Sequence, residues 1–190
     1  MKPVFADGDS LRRVFAATTE HTFEVDLGLA DPPLIDYLVD LLIRFVRMDA
    51  IFKIRDPRGR RLREVAEMMA EAEQRQSNPQ REVYRHIGDF SLFWAGVYPE
   101  ALSRLKSPDR QDHLVDYFVQ GKRSYYLAST FDQKPYDREA PILRRLSEEF
   151  ELCTYGLNRV RHLWEQEAAE YRHGGGPPLS GDEAPPQAGA

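Results

Sequence analysis

Apolar residues recur at spacings of three and four along most of the chain, and this pattern constrains the fold more than any other feature. The cleanest stripe consists of Leu143, Leu146, Phe150, Cys153, Leu157, Val160 and Trp164. Such spacing places side chains on one face of an α-helix. The register continues through Gly156, so we predict one long helix that begins at Asp137 or Arg138 and ends near Tyr171.

Other stripes and helix-start motifs predict the remaining helices. Asp31-Pro32-Pro33 is typical of a helix start and precedes a broadly apolar helix over 31–52. Ser77-Asn78-Pro79 and Ser107-Pro108-Asp109 repeat this pattern, the second before a helix that carries Leu114 on its apolar stripe. We find no convincing alternation typical of strands. We therefore predict an all-α, single-domain bundle of five to six helices, mostly up-and-down.

Composition divides the chain into two regions. Residues 1–173 form the predicted helical domain. Residues 174–190 are rich in Gly, Pro and Ala, and we predict a disordered tail because they offer too little apolar surface to offset the entropy of ordering. The sequence has no apolar run long enough for a membrane span, so we predict none. Residues 1–10 do not resemble a secretory signal.

Charge and cysteine content narrow the function classes. The net charge of -5 argues against a nucleic-acid-binding protein. The single cysteine, Cys153, excludes an intramolecular disulfide and a cysteine-based metal cage. Such a composition is typical of a reducing compartment, and we expect a cytoplasmic protein.

The most aromatic segment, residues 85–100, also carries polar groups that need partners if they are buried. Glu82, His86 and Asp89 are spaced to share one helix face, which offers the ligands of a metal site or an acid–base pair. The simpler hypothesis is structural: Arg85, His86 and Asp89 form a buried polar centre. In it, Asp89 pairs with Arg85 or with an arginine or tyrosine from another helix.

Further features bear on this choice. Gly88 and Gly121 favour close helix packing, although they also leave room for a flat ligand. Core-facing tyrosines need acceptors for their hydroxyl groups. A di-iron bundle needs two Glu-x-x-His motifs, whereas this chain has one, Glu170 to His173. We predict no cofactor, with a transition metal as the alternative.

A basic run, Lys53, Arg55, Arg58, Arg60, Arg61 and Arg63, surrounds a predicted type I turn, Asp56-Pro57-Arg58-Gly59. A phosphate-bearing partner is one interpretation. We favour the interpretation that this segment is a solvated loop and not a hairpin. Its arginines would then pair with the acidic residues between Glu64 and Glu73. No aromatic residue is interleaved for base stacking beyond Phe52, so we do not expect nucleic acid to bind.

The motif Arg85-His86-x-Gly88-Asp89-x-x-Leu92-Phe93-x-x-Gly96-x-x-Pro99-Glu100 resembles one found in a family of bacterial all-helical proteins. The resemblance covers this helix and, more loosely, residues 31–52 and 121–125. It implies an all-helical fold and implies no particular reaction.

The sequence indicates no catalytic residue, and two hypotheses follow. The first is a non-enzymatic protein-interaction or regulatory module that binds a protein partner, or a second copy of itself, through the 143–164 helix. The alternative is a metal- or small-molecule-binding bundle that could be an enzyme, with its site at Glu82, His86 and Asp89.

Overall fold

The computed structural model describes residues 8–173, which form nine α-helices and contain no β-strand. The helices are α1 (Gly8–Glu20), α2 (Pro32–Phe45), α3 (Met48–Ile51), α4 (Val65–Gln74), α5 (Ser77–Gly96), α6 (Leu102–Leu105), α7 (Tyr117–Ser129), α8 (Ala140–Glu148) and α9 (Phe150–His173). A π-helix spans His21–Asp26, and 3₁₀-helices span Pro99–Ala101 and Gln111–Leu114. The all-α prediction is confirmed for this part of the chain.

The predicted count of five to six helices is too low, partly because two predicted helices are each broken in two. Where one helix was expected over 31–52, α2 ends at Phe45 and α3 begins at Met48. The predicted helix that ends near residue 171 is divided at Glu149 into α8 and α9. The spacing of the apolar residues continues across each break.

The break at Glu149 lies in the backbone angles of that residue, while i→i−4 hydrogen bonds continue on both sides of it. The Glu149 N–H donates to the Arg145 carbonyl, and the Glu149 carbonyl accepts from the Cys153 N–H, both at 2.8 Å. Its φ of -100° and ψ of 24° lie outside the α-helical range. Acidic side chains are unfavourable at a helix C-terminus and favourable at an N-terminus. Glu149 and Glu151 are therefore favourable at the start of α9, whereas Glu148 is unfavourable at the end of α8.

Helix α5 lies at the centre of the core and packs against α2, α4, α7 and α9. A Cβ atom at Gly88 would lie 2.5 Å from the ring of Tyr125, and one at Gly121 would lie 2.4 Å from the ring of Phe150. The predicted close packing at these glycines is confirmed. The two rings occupy the space that the sequence left open for a flat ligand.

Two of the three predicted start motifs do not cap their helices. Asp31 does, because its carboxylate accepts from the Leu34 N–H. By contrast α7 begins ten residues after Ser107, and its cap is Asp116. Leu114, predicted on the core stripe, lies in the preceding 3₁₀-helix with 83% of its surface exposed. Helix α5 begins at Ser77, without a side-chain cap.

A cap that the sequence did not predict comes from Asp112. Its carboxylate accepts the N–H groups of Val65 and Ala66, at 2.9 and 2.8 Å, and therefore satisfies the first donors of α4 from 46 or more residues away. The hydroxyl of Tyr117 donates to the same carboxylate at 2.7 Å. This buried aspartate ties the start of α4 to the start of α7.

The apolar stripe predicted to mediate dimerisation is buried inside the protein. The residues of the stripe from Leu143 to Val160 are fully buried. The ring centres of Trp164 and Phe15 lie 4.0 Å apart. The stripe belongs to the core of one chain and is not available to a second copy.

Within residues 8–173 there is no helix with both the length and the apolar character needed to cross a bilayer. Helix α9 extends to His173, the last residue that the structure describes. The predicted disordered tail, residues 174–190, lies outside the described residues, and so do the side chains of Glu170 and His173.

Candidate functional site

Asp89 is the centre of a buried hydrogen-bond network that joins three helices. Its Oδ1 accepts from the hydroxyl groups of Tyr37 on α2 and Tyr125 on α7, at 2.6 and 2.8 Å. Its Oδ2 accepts from Nη2 of Arg44 on α2 at 3.2 Å. Only 1% of Asp89 is exposed. Asp89 thus pairs with tyrosines and an arginine from other helices, which was one of the pairings that the sequence left open.

Charge keeps this carboxylate ionised. Burial alone would raise the pKa of Asp89, but the guanidinium groups of Arg44 and Arg85 outweigh it and hold the pKa below its ordinary value. Burial and the Asp89 charge raise the pKa values of Tyr37 and Tyr125. At neutral pH the network therefore consists of a fixed carboxylate and fixed hydroxyl donors, with no group ready to exchange a proton.

Arg85 does not pair with Asp89, as the sequence spacing suggested. Its Nε donates to the hydroxyl oxygen of Tyr37 at 3.2 Å and lies 3.3 Å from a carboxylate oxygen of Glu139. Its Nη1 lies 3.5 Å from Glu82. Arg85 therefore influences Asp89 through its charge and holds the Tyr37 hydroxyl, whereas the ion pair with Asp89 is made by Arg44.

His86 has a separate partner. Its Nε2 bonds to the Ile51 carbonyl at 2.9 Å, which makes Nε2 the protonated nitrogen, whereas Nδ1 is buried without a partner among the described residues. Burial, followed by the charge of Lys53, lowers the pKa of His86 to about 4. The imidazole is therefore neutral at pH 7 and fixes the end of α3 against α5.

The three candidate metal ligands do not converge on one point. Glu82 binds Arg81 and Arg85, while His86 and Asp89 have the separate partners described above. In the part of the chain that the structure describes, no three His, Cys, Asp or Glu side chains are grouped so that they could hold a metal ion. The geometry of Asp89 favours the structural interpretation of this polar centre.

The basic run forms a different kind of site. The Gly59 N–H donates to the Asp56 carbonyl at 2.9 Å, as in the predicted turn. Beyond it, Arg55 and Arg61 face each other in a single antiparallel β-bridge. The segment therefore combines the two interpretations that the sequence offered: it has the pairing of a minimal hairpin without forming strands.

A cleft of about 570 Å³ opens beside this turn. Five arginines line it: Arg55, Arg60, Arg61, Arg63 and Arg110. Glu64 and Glu67 complete the lining, so that the cleft carries an excess of three positive charges. This volume is within the range of small-ligand sites, but such sites are mostly apolar whereas every lining residue here is charged.

Only some of these arginines are neutralised. Arg60 pairs with both Asp56 and Glu67, at 3.2 and 2.7 Å, which confirms the predicted pairing for that residue. Arg110 lies 3.7 Å from Glu64. Three further arginines of the cleft form no ion pair with any carboxylate that the structure describes: Arg55, Arg61 and Arg63.

Sequence reasoning missed Arg44, Asp112 and Arg110. Arg44 lies seven residues after Tyr37, so the two share a face of α2, and this spacing was the one available signal for its role. Arg110 is remote in sequence from the basic run, and only the fold brings it to the cleft.

Comparison of the chain with models of known protein families, with curated proteins and with solved structures finds no match. The resemblance of residues 85–100 to a bacterial helical family stays a prediction. The function must be argued from the geometry.

Proposed function

We propose that the protein is a non-enzymatic interaction module that binds an acidic segment of a partner protein in the basic cleft. The observation that carries this proposal is the group of three arginines, Arg55, Arg61 and Arg63, that line one cleft and have no carboxylate partner among residues 8–173. A cytoplasmic location, expected from the composition, is part of the proposal.

The electrostatic cost of this arrangement supports a role in binding. Arg55 and Arg61 are opposite each other in the β-bridge, and like charges in directly opposite positions destabilise a pair of strands. The protein as a whole is acidic, with a net charge of -5, so the cleft is a local exception. An acidic segment would remove the repulsion, and complementary charge would also accelerate the encounter.

The polar centre supports the non-enzymatic part of the proposal. The Asp89 oxygens are occupied by Tyr37, Tyr125 and Arg44, and the ring of Tyr125 packs against Gly88. Burial raises the pKa of Cys153 to about 12, so this thiol is a poor nucleophile at neutral pH. These groups stabilise the fold and leave binding to the surface.

The charged lining also favours protein over nucleic acid. Single-stranded nucleic acids bind through stacking of bases on aromatic side chains, and the described residues that line the cleft include no aromatic side chain. Clusters of arginines that recognise acidic or phosphorylated motifs are a recurring mode of peptide binding. The partner surface in this proposal is therefore the cleft rather than the 143–164 helix.

The test is fluorescence anisotropy with a labelled peptide that contains a run of consecutive glutamates. We expect binding that weakens as salt is added, and a loss of about tenfold or more in the variant Arg61→Ala/Arg63→Ala. The matched control is Arg13→Ala/Arg123→Ala, which removes two exposed arginines that lie outside the cleft, on α1 and α7. Equal loss in both variants, or no binding by the wild type, would contradict the proposal.

A further inference from the structure

We infer that the cleft recognises a phosphorylated side chain within the partner segment, with the phosphoryl group held by Arg55, Arg61 and Arg63. This inference rests on the proposed function, because it specifies the chemistry of the segment that the cleft would bind. It is carried by the geometry of the three arginines and by their charge.

The backbone presents the three side chains on one side of the turn. Ile54 is buried and Arg55 exposed; Leu62 is buried, and its neighbours Arg61 and Arg63 are exposed. This alternation is typical of extended chain, in which successive side chains point to opposite faces. The bridge places Arg55 beside Arg61, and Arg63 follows two residues later on the same face. All three line the cleft.

The number of free donors fits a phosphoryl group better than a carboxylate. Each guanidinium group carries five N–H donors in a planar fork. A carboxylate has a single charge and two oxygens, which one arginine satisfies. A phosphomonoester carries a charge of about -1.5 to -2 at pH 7 and three acceptor oxygens. Two or three arginines can therefore bind one phosphoryl group at the same time.

The loop that carries these arginines is already ordered. The Asp56 carboxylate accepts the N–H groups of Arg58 and Arg60, at 3.0 and 2.9 Å. Nη2 of Arg75 donates to the Arg55 carbonyl at 2.7 Å. Gly59 adopts a φ of 82°, which favours glycine. Binding would order only side chains, and this preorganisation lowers its entropic cost.

Two of the three side chains already have contacts that hold them beside the turn. Nη1 of Arg55 donates to the Gly59 carbonyl at 2.7 Å, which fixes its guanidinium group over the turn and leaves further N–H donors free. The guanidinium carbon of Arg63 lies 5.9 Å from the centre of the Phe52 ring, so its charged group is held over an aromatic face. No described residue gives the side chain of Arg61 a comparable contact, and we expect it to move most on binding.

The experiment compares three peptides of one sequence that differ at a single position, which is serine, glutamate or phosphoserine. We expect the phosphoserine peptide to bind about tenfold or more tightly than the glutamate peptide, and the serine peptide to bind more weakly than either. The variant Arg61→Lys/Arg63→Lys keeps the charge but removes the planar forks. We expect it to lose most of the preference for phosphoserine.

Inorganic phosphate and the glutamate-run peptide separate the remaining outcomes. Equal binding of the glutamate and phosphoserine peptides would overturn the phosphoryl inference and leave the acidic-segment proposal intact. Inorganic phosphate that binds as tightly as the phosphopeptide would overturn it as well, because the ligand would then be a small anion. If no peptide binds, including the glutamate-run peptide, both the inference and the proposed function fail.

Discussion

The substitution Asp89→Asn tests whether the polar centre holds the helices together. It removes the negative charge that faces Arg44 and keeps the size of the side chain. It also replaces one oxygen with an amide group that donates, where Asp89 had two acceptor oxygens for Tyr37, Tyr125 and Arg44. In the variant, at least one of the three groups that donate to Asp89 in the wild type therefore faces another donor.

The expected cost follows from burial. Removing one partner of a fully buried ion pair costs about 3–5 kcal/mol. The side chain of Arg44 is 32% exposed, so that water can solvate part of its charge, and the lower end of that range, about 3 kcal/mol, applies. Tyr125→Phe removes one hydrogen bond to the carboxylate and should cost about 1–2 kcal/mol.

Urea unfolding at pH 7 measures both free energies. The control is Asp40→Asn, the same change in an exposed ion pair with Arg12, where Asp40 is 52% exposed. It should change the free energy of unfolding by less than about 1 kcal/mol. A cost below about 1 kcal/mol for Asp89→Asn, equal to that of the control, would refute the argument. If Asp89→Asn does not fold, Tyr125→Phe still tests the network.

Three further predictions concern stability. Since burial lowers the pKa of His86 to about 4, below the ordinary value of about 6.5, the unfolded chain binds this proton more readily. The free energy of unfolding should therefore keep its full contribution from neutral His86 above pH 6.5 and fall by roughly 3 kcal/mol as the pH is lowered to 4. Urea titrations across this range should show that decrease, and His86→Gln should abolish this part of the pH dependence. Gly88→Ala places a Cβ against the Tyr125 ring and should destabilise by about 1–3 kcal/mol despite the better helix propensity of alanine; an unchanged melting temperature would contradict the close packing. Asp112→Ala uncaps α4 and should cost about 2 kcal/mol in urea unfolding; the account of this cap fails if stability is unaffected.

The sequence predicted the fold class because burial of an apolar face is a local property of each helix. The stripe from Leu143 to Val160 is fully buried, and the Asp31 cap forms as predicted. The stripe could not reveal the break at Glu149, since α8 and α9 bury the same stripe on both sides of it. It could not distinguish a core face from a dimer face either, because both require the same apolar spacing.

Partner choice was the part that local spacing could not supply. Arg85 is four residues before Asp89, yet the ion pair with Asp89 comes from Arg44, 45 residues away. The tyrosine partners were predictable as a class, because buried hydroxyl groups need acceptors. Which tyrosine and which arginine reach the carboxylate depends on how α2 and α7 pack against α5.

Local spacing could not predict the unpaired arginines of the cleft either. The basic run is plain in the sequence, and its pairing with a nearby acid was correctly predicted for Arg60. Which arginines stay unpaired depends on the β-bridge between Arg55 and Arg61 and on the approach of Arg110. Both are contacts of the folded chain, so a solvated loop and a binding cleft have the same sequence pattern.

The most direct test of the cleft as the functional site is arginine-selective NMR of the guanidinium Nε–H groups during titration with the phosphoserine peptide. The account predicts that the signals of Arg55, Arg61 and Arg63 shift together and saturate at one equivalent of peptide. The signals of Arg13 and Arg123, outside the cleft, should not move. Shifts confined to arginines outside the cleft, or small unsaturated shifts of all exposed arginines, would contradict it.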